Sequence, residues 1–159
     1  MTQTRQPTVM RTPGLSPAVT AGFGFAVYAL AAISGEVFAV NMDSHLEHTH
    51  SHTIWESVSG WADEFAIALV GVAIAVWAGR RAWQGQSSRL AWTALALGVV
   101  AAVTYVAFWA GWSNVFGAVA VGLAMEYRRR IGSFNAATGI ALGLGALAFV
   151  AAAVTCVIG

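Results

Sequence analysis

The chain has 159 residues, of which 58% are hydrophobic and 9% charged, and its mean hydropathy is +0.68. A soluble domain carries about 25% charged residues because its surface must face water, so this composition points to the lipid bilayer as the chain's second solvent and excludes disorder, collagen and disulfide scaffolds. A net charge of +1 with no basic face excludes nucleic acid as a partner, and the single cysteine, Cys156, excludes a disulfide or a CxxC redox pair within the chain.

Residues 1–17 contain Pro7, Pro13 and Pro17 and precede any periodic segment, so they read as a flexible tail. The first apolar run, 18–40, is 23 residues long, which exceeds the roughly 7 to 15 residues of a signal peptide core and suits an anchor. Cleavage within residues 1–31, after Ala29-Leu30-Ala31, is the alternative. A second span is predicted at 61–79 and a third at 90–110. From Leu90 to Tyr127 the chain is apolar for 38 residues, which as one helix would be about 57 Å long, nearly twice a hydrocarbon core of about 30 Å. A break is therefore placed at Gly111-Trp112-Ser113-Asn114, leaving a short fourth span or re-entrant arm at 115–127 and a fifth span at 136–158.

With five spans and an inside N-terminus, Arg5, Arg11, Arg80, Arg81, Arg89, Arg128, Arg129 and Arg130 all fall on the cytoplasmic side, whereas four spans would put the last three outside. The expected fold is thus an all-α integral membrane bundle with its C-terminus outside and residues 18–159 forming one transmembrane domain. Alanine, glycine and arginine without any lysine suggest a bacterial genome, hence a bacterial plasma membrane.

Lipid tails give helices no hydrophobic reason to associate, so small residues that allow close approach are the expected contacts. Three stripes qualify: Gly71, Ala75 and Gly79; Ala118 and Gly122; Gly139 and Gly143. They join helices of one chain, or else meet a membrane-protein partner or a second copy in a homodimer.

The loop 41–60 holds all four histidines, His45, His48, His50 and His52. Ser44 and Glu47 match a capping box for a short helix starting near His45, on which His45, His48, His52 and Glu56 share a face. In an extended loop His48, His50 and His52 share a side instead. Imidazole and carboxylate are ligands for zinc, copper or nickel, and Glu36, Asp43, Glu47, Glu56, Asp63 and Glu64 map to the same side with no arginine among them. The metal candidates are His45, His48 and His52, with His50, Glu56, Asp63 and Glu64 as alternates. A pH sensor and a plain solvated loop fit the same residues, because the spacing matches no specific metal motif.

Glu36 lies about one turn inside the first span, which makes it an intramembrane cation or proton site or, alternatively, a side chain reaching the headgroups. Asp63 and Glu64 also suit the positive end of a helix dipole, and Glu126 is placed to form an exposed ion pair with Arg130. Tyr28, Thr104, Tyr105 and Asn114 are expected to hydrogen-bond between helices. No histidine lies within a span and no nucleophile or phosphate loop stands out, so an enzyme is not expected. Two functions fit: a membrane protein whose outer loop binds or senses a divalent metal, and an accessory protein that docks onto a larger membrane complex.

Overall fold

A computed structural model describes residues 14–45 and 62–158, the side chains of 36–45 excepted. Within that range the chain is all-helical: α1 (Pro17–His45), α2 (Ala62–Trp83), α3 (Ser87–Thr104) continued by a 3-10 segment (Tyr105–Ala110), α4 (Trp112–Ile131) and α5 (Ala136–Ile158). Four stretches, Pro17–Gly35, Ala62–Trp83, Ser87–Ala110 and Ala136–Ile158, are long and apolar enough to cross a membrane. The chain is a membrane-embedded protein by that criterion. The remaining helix, α4, is 20 residues long and carries Glu126 and Arg128 to Arg130 near its end.

The boundaries follow from local chemistry. Ser16 precedes Pro17 at the start of α1, where its Oγ accepts from the Val19 amide at 3.4 Å and the missing proline N–H costs nothing. At the start of α5, Asn135 and Thr138 cap each other: the Thr138 amide donates to Asn135 Oδ1 at 2.8 Å, and the Asn135 amide to Thr138 Oγ1 at 3.0 Å. Helix α4 stops at Gly132, whose φ of +92° lets its amide return to the Arg128 carbonyl.

The fold-back expected after the third span is made by one residue. Gly111 adopts φ +68°, and its amide donates to the Phe108 carbonyl at 3.1 Å. Trp112, Ser113 and Asn114, expected as a polar turn, form the first turn of α4 instead, and Ser113 and Asn114 are fully buried. Their donors are taken up by neighbouring helices, Ser113 Oγ donating to the Ala101 carbonyl at 3.0 Å and Asn114 Nδ2 to the Phe149 carbonyl at 3.0 Å, while Asn114 Oδ1 has no hydrogen-bond partner among the described residues. The fourth helix is consequently not the short arm 115–127 but about 30 Å long at 1.5 Å per residue. The other helices also outrun their apolar windows: α1 continues to His45 and α2 to Trp83, while the end of the third tightens into 3-10 geometry with a break at Ala107.

Consecutive helices alternate in direction. The start of α1 meets the end of α2, where Pro17 packs on Gly79, and the end of α1 meets the end of α5, where Gly35 packs on Cys156. All six described arginines therefore lie at one end of the bundle, with Asp63 and Glu64 at the opposite end. Helix α4 stands at the centre, in contact with each of the other four.

Gly111→Ala is expected to destabilise the protein twice over, by about 1–2 kcal/mol for the left-handed backbone and by about 1–3 kcal/mol for overpacking, because a methyl there would meet the Tyr28 ring at 2.6 Å. Gly132→Ala, also at positive φ but with nothing within 4 Å, should show the first cost alone when both are compared by unfolding in detergent.

Candidate functional site

The acidic end of the bundle carries Asp63 and Glu64 on the first turn of α2, where carboxylates complement the helix dipole. Glu64 Oε2 is buried and has no hydrogen-bond partner among the described residues. Of the remaining metal candidates, His48, His50, His52 and Glu56 lie outside the described residues, and His45 and Glu36 lie on α1 with side chains outside them. Among the described residues no group of three or more histidine, cysteine or carboxylate side chains is positioned to hold a metal ion. One local expectation is corrected: Ser44 and His45 belong to the last turn of α1, so Ser44 does not cap a new helix at His45. A capping residue has non-helical backbone, and here the polar residues after Val40 simply prolong the helix beyond its apolar run.

Below Glu64 lies a buried cluster. Tyr28 is fully buried between Phe25, Phe65, Ala68 and Cys156, with the Phe65 ring edge-on at 5.9 Å. Its hydroxyl donates to the Trp109 carbonyl, in the 3-10 segment just before the left-handed Gly111 ends it. Nearby, Tyr105 Oη and Thr155 Oγ1 share a hydrogen bond of 2.9 Å, Thr104 Oγ1 and Ser113 Oγ one of 3.3 Å, and Trp112 Nε1 donates to the Ile67 carbonyl at 2.9 Å. This network ties α1, α2, α4 and α5 to the kinked end of α3.

At the arginine end the centre is Glu126. It is 5% exposed, not the exposed ion pair expected from the i, i+4 spacing alone. Arg130 Nε donates to Glu126 Oε1 at 2.8 Å, and Arg129 Nε stands 3.0 Å from Oε2. Arg130 also reaches across to the α2–α3 connection, donating from Nη2 to the Trp83 carbonyl at 2.8 Å and from Nη1 to the Gly85 carbonyl at 3.4 Å. Gly14, just before α1, lies over the same carboxylate, where a methyl would come within 2.5 Å of Oε2. Three separate parts of the chain thus converge on one buried acid, neutralised by two guanidinium groups.

The small-residue stripes divide. Gly71, Ala75 and Gly79 are buried along one face of α2, with Gly71 under the Trp112 indole and Gly79 under Pro17. Ala118 and Gly122 face α1, opposite Gly24 and Thr20 respectively. Gly139 and Gly143 make no such contact: a methyl on either would meet nothing within 4 Å. The buried stripe of α5 runs instead through Thr138, Ala141, Gly145, Ala148, Ala152 and Cys156. Because α5 is rich in small residues all round, several such stripes compete, and spacing alone does not single this one out. Further close approaches to a neighbouring helix backbone, Gly24 on α4, Gly35 on Cys156, Gly98 on Ala141 and Gly117 on Gly145, were not among the expected stripes.

No protein-family model, no curated protein and no solved structure matches this chain.

Replacing Glu126 by alanine is expected to cost about 1.5–3 kcal/mol, the range for hydrogen bonds to charged groups. Arg130→Lys should also destabilise, since an ammonium cannot span the carboxylate and two carbonyls as a planar fork does; thermal unfolding in detergent reads both.

Proposed function

We propose that the chain crosses a bacterial plasma membrane five times, with its N-terminus inside, and that its outer end binds a divalent metal ion without catalysing a reaction. The observation that carries the orientation is the segregation of charge: every described arginine lies at one end of the bundle, and Asp63 and Glu64 lie at the other. Helix α4 then serves as the fifth crossing, its 20 residues matching the core thickness and its arginines reaching the cytoplasmic headgroups.

The metal reading is supported by the histidines at 45, 48, 50 and 52 with Glu56, which precede Asp63 and Glu64 in the sequence, and by Glu64 Oε2, which has no hydrogen-bond partner among the described residues. Zinc, copper or nickel suits an imidazole and carboxylate set without thiolate. Glu36 stands below them as a subsidiary cation or proton site. Titration calorimetry of the detergent-solubilised protein with each metal at pH 7.5 should show stoichiometric binding. It should weaken at pH 5.5, because protons compete with the metal for the imidazole nitrogens, and it should vanish in the variant His45→Ala, His48→Ala, His52→Ala. Binding that survives the triple substitution, or none at all, refutes the metal reading.

A second reading, an accessory protein docked onto a larger membrane complex or a second copy, is favoured by the open face of α5 at Gly139 and Gly143. Under it, Gly139→Leu removes a co-purifying partner while leaving the isolated chain as stable as before, since Gly139 is exposed and a methyl there meets nothing within 4 Å among the described residues.

A further inference from the structure

Between α1, α4 and α5 a groove of about 880 Å³ opens on the side of the bundle, walled by Leu15, Val19, Val121, Met125 and Val150. Phe23 and Phe149 mark its deep end, their rings stacked 5.8 Å apart across α1 and α5, close to Ala118. Its other end reaches Glu126, Arg128 and Arg129. Ala118 and Arg129 are 11 residues apart on one helix, a rise of about 16 Å. That is half of a hydrocarbon core of about 30 Å, the depth of a single leaflet.

The groove is apolar along its length and polar at one end only. Glu126 is the one acid there, and it is matched by Arg129 and Arg130, so the cluster Arg128 to Arg130 with Glu126 keeps two positive charges. Arg128 is held above the Phe134 ring at 5.2 Å, on the exposed side of α4. An occupant therefore needs a hydrocarbon body one leaflet long and an anionic head. A transmembrane helix of a partner would run about twice that depth, and an ion or a nucleotide would find along the walls only the Thr20 hydroxyl, which already donates to the Pro17 carbonyl.

We propose that this groove holds an acyl chain of an anionic glycerophospholipid, with the lipid phosphate at Arg128 and Arg129. Basic clusters between membrane helices on the cytoplasmic side attract such headgroups. The site requires a bundle that sits in a bilayer but does not involve the histidine loop, so its failure and that of the metal reading are separable.

The test is native mass spectrometry of the full-length protein in mild detergent, supplied with equal amounts of phosphatidylglycerol and phosphatidylcholine of the same acyl chains. One phosphatidylglycerol per chain should be retained in preference. Arg128→Gln leaves the Glu126 ion pairs in place and should lower that preference by about fivefold, the effect of one basic residue near a charged lipid. Ala146→Trp, at an exposed position on the groove wall, should abolish retention of either lipid while the melting temperature in detergent stays unchanged. Equal retention of the two lipids, retention undiminished by Ala146→Trp, or a lipid-free dimer that covers the groove would each overturn the proposal.

Discussion

Helices in lipid have no water to escape from one another's surfaces, so what holds this bundle together is the distance at which backbones can meet. Gly117 on α4 and Gly145 on α5 set that distance. A methyl on Gly117 would lie 2.6 Å from the Gly145 carbonyl oxygen, and one on Gly145 would lie 2.9 Å from the Gly117 carbonyl oxygen. Gly24 repeats the arrangement between α1 and α4, and Gly98 between α3 and α5. Larger side chains at these points would push the helices apart and forfeit the dispersion contacts that stand in for the hydrophobic effect.

The same constraint explains why the least apolar helix is the most enclosed. From Ser113 to Ala120 every residue of α4 is buried, whereas the four apolar helices bury between 22% and 33% of their spanning windows. Lipid surrounds those four, and other helices surround α4. A serine, an asparagine and a glutamate on α4 are tolerable there because neighbouring carbonyls and guanidinium groups answer them. The polar atoms at its two ends serve opposite roles: Ser113 and Asn114 fasten it to α3 and α5, while Glu126 and Arg130 fasten it to the α2–α3 connection and the start of α1.

Much of the architecture was legible from apolar run lengths, which locate α1, α2, α3 and α5 to within a few residues at most ends. Hydropathy reads lipid exposure, so it undervalued α4, where Trp112 to Asn114 and Arg128 to Ile131 are helical outside the apolar run 115–127. Spacing alone pointed to the Glu126–Arg130 pair but not to its burial, since that depends on Gly14 and Trp83 arriving from distant parts of the chain. On α2 the glycine and alanine stripe coincides with the buried face because the intervening residues are large. On α5 they are small as well, and only the positions of α3 and α4 decide that Gly145 faces inward and Gly139 outward. The histidine loop is conspicuous by composition, yet His48 to Glu56 lie outside the described residues, and its chemistry rests on residue types alone.

The bond from Arg130 to the carbonyl of Trp83 also bears on how the chain assembles as it emerges during synthesis. Helices α2, α3 and α4 are consecutive, joined by the short connection 84–86 and by Gly111, and Arg130 closes this three-helix unit upon itself before α5 exists. Closure within a contiguous stretch carries a small loop-entropy cost. Helix α1, made earlier, can meet α2 at Gly79 and Phe65, but its close neighbours on α4, at Asn114, Ala118 and Gly122, come about 90 residues later. The central unit therefore acts as a template against which the first and last helices are laid, and the lateral groove lies where those two late arrivals flank α4.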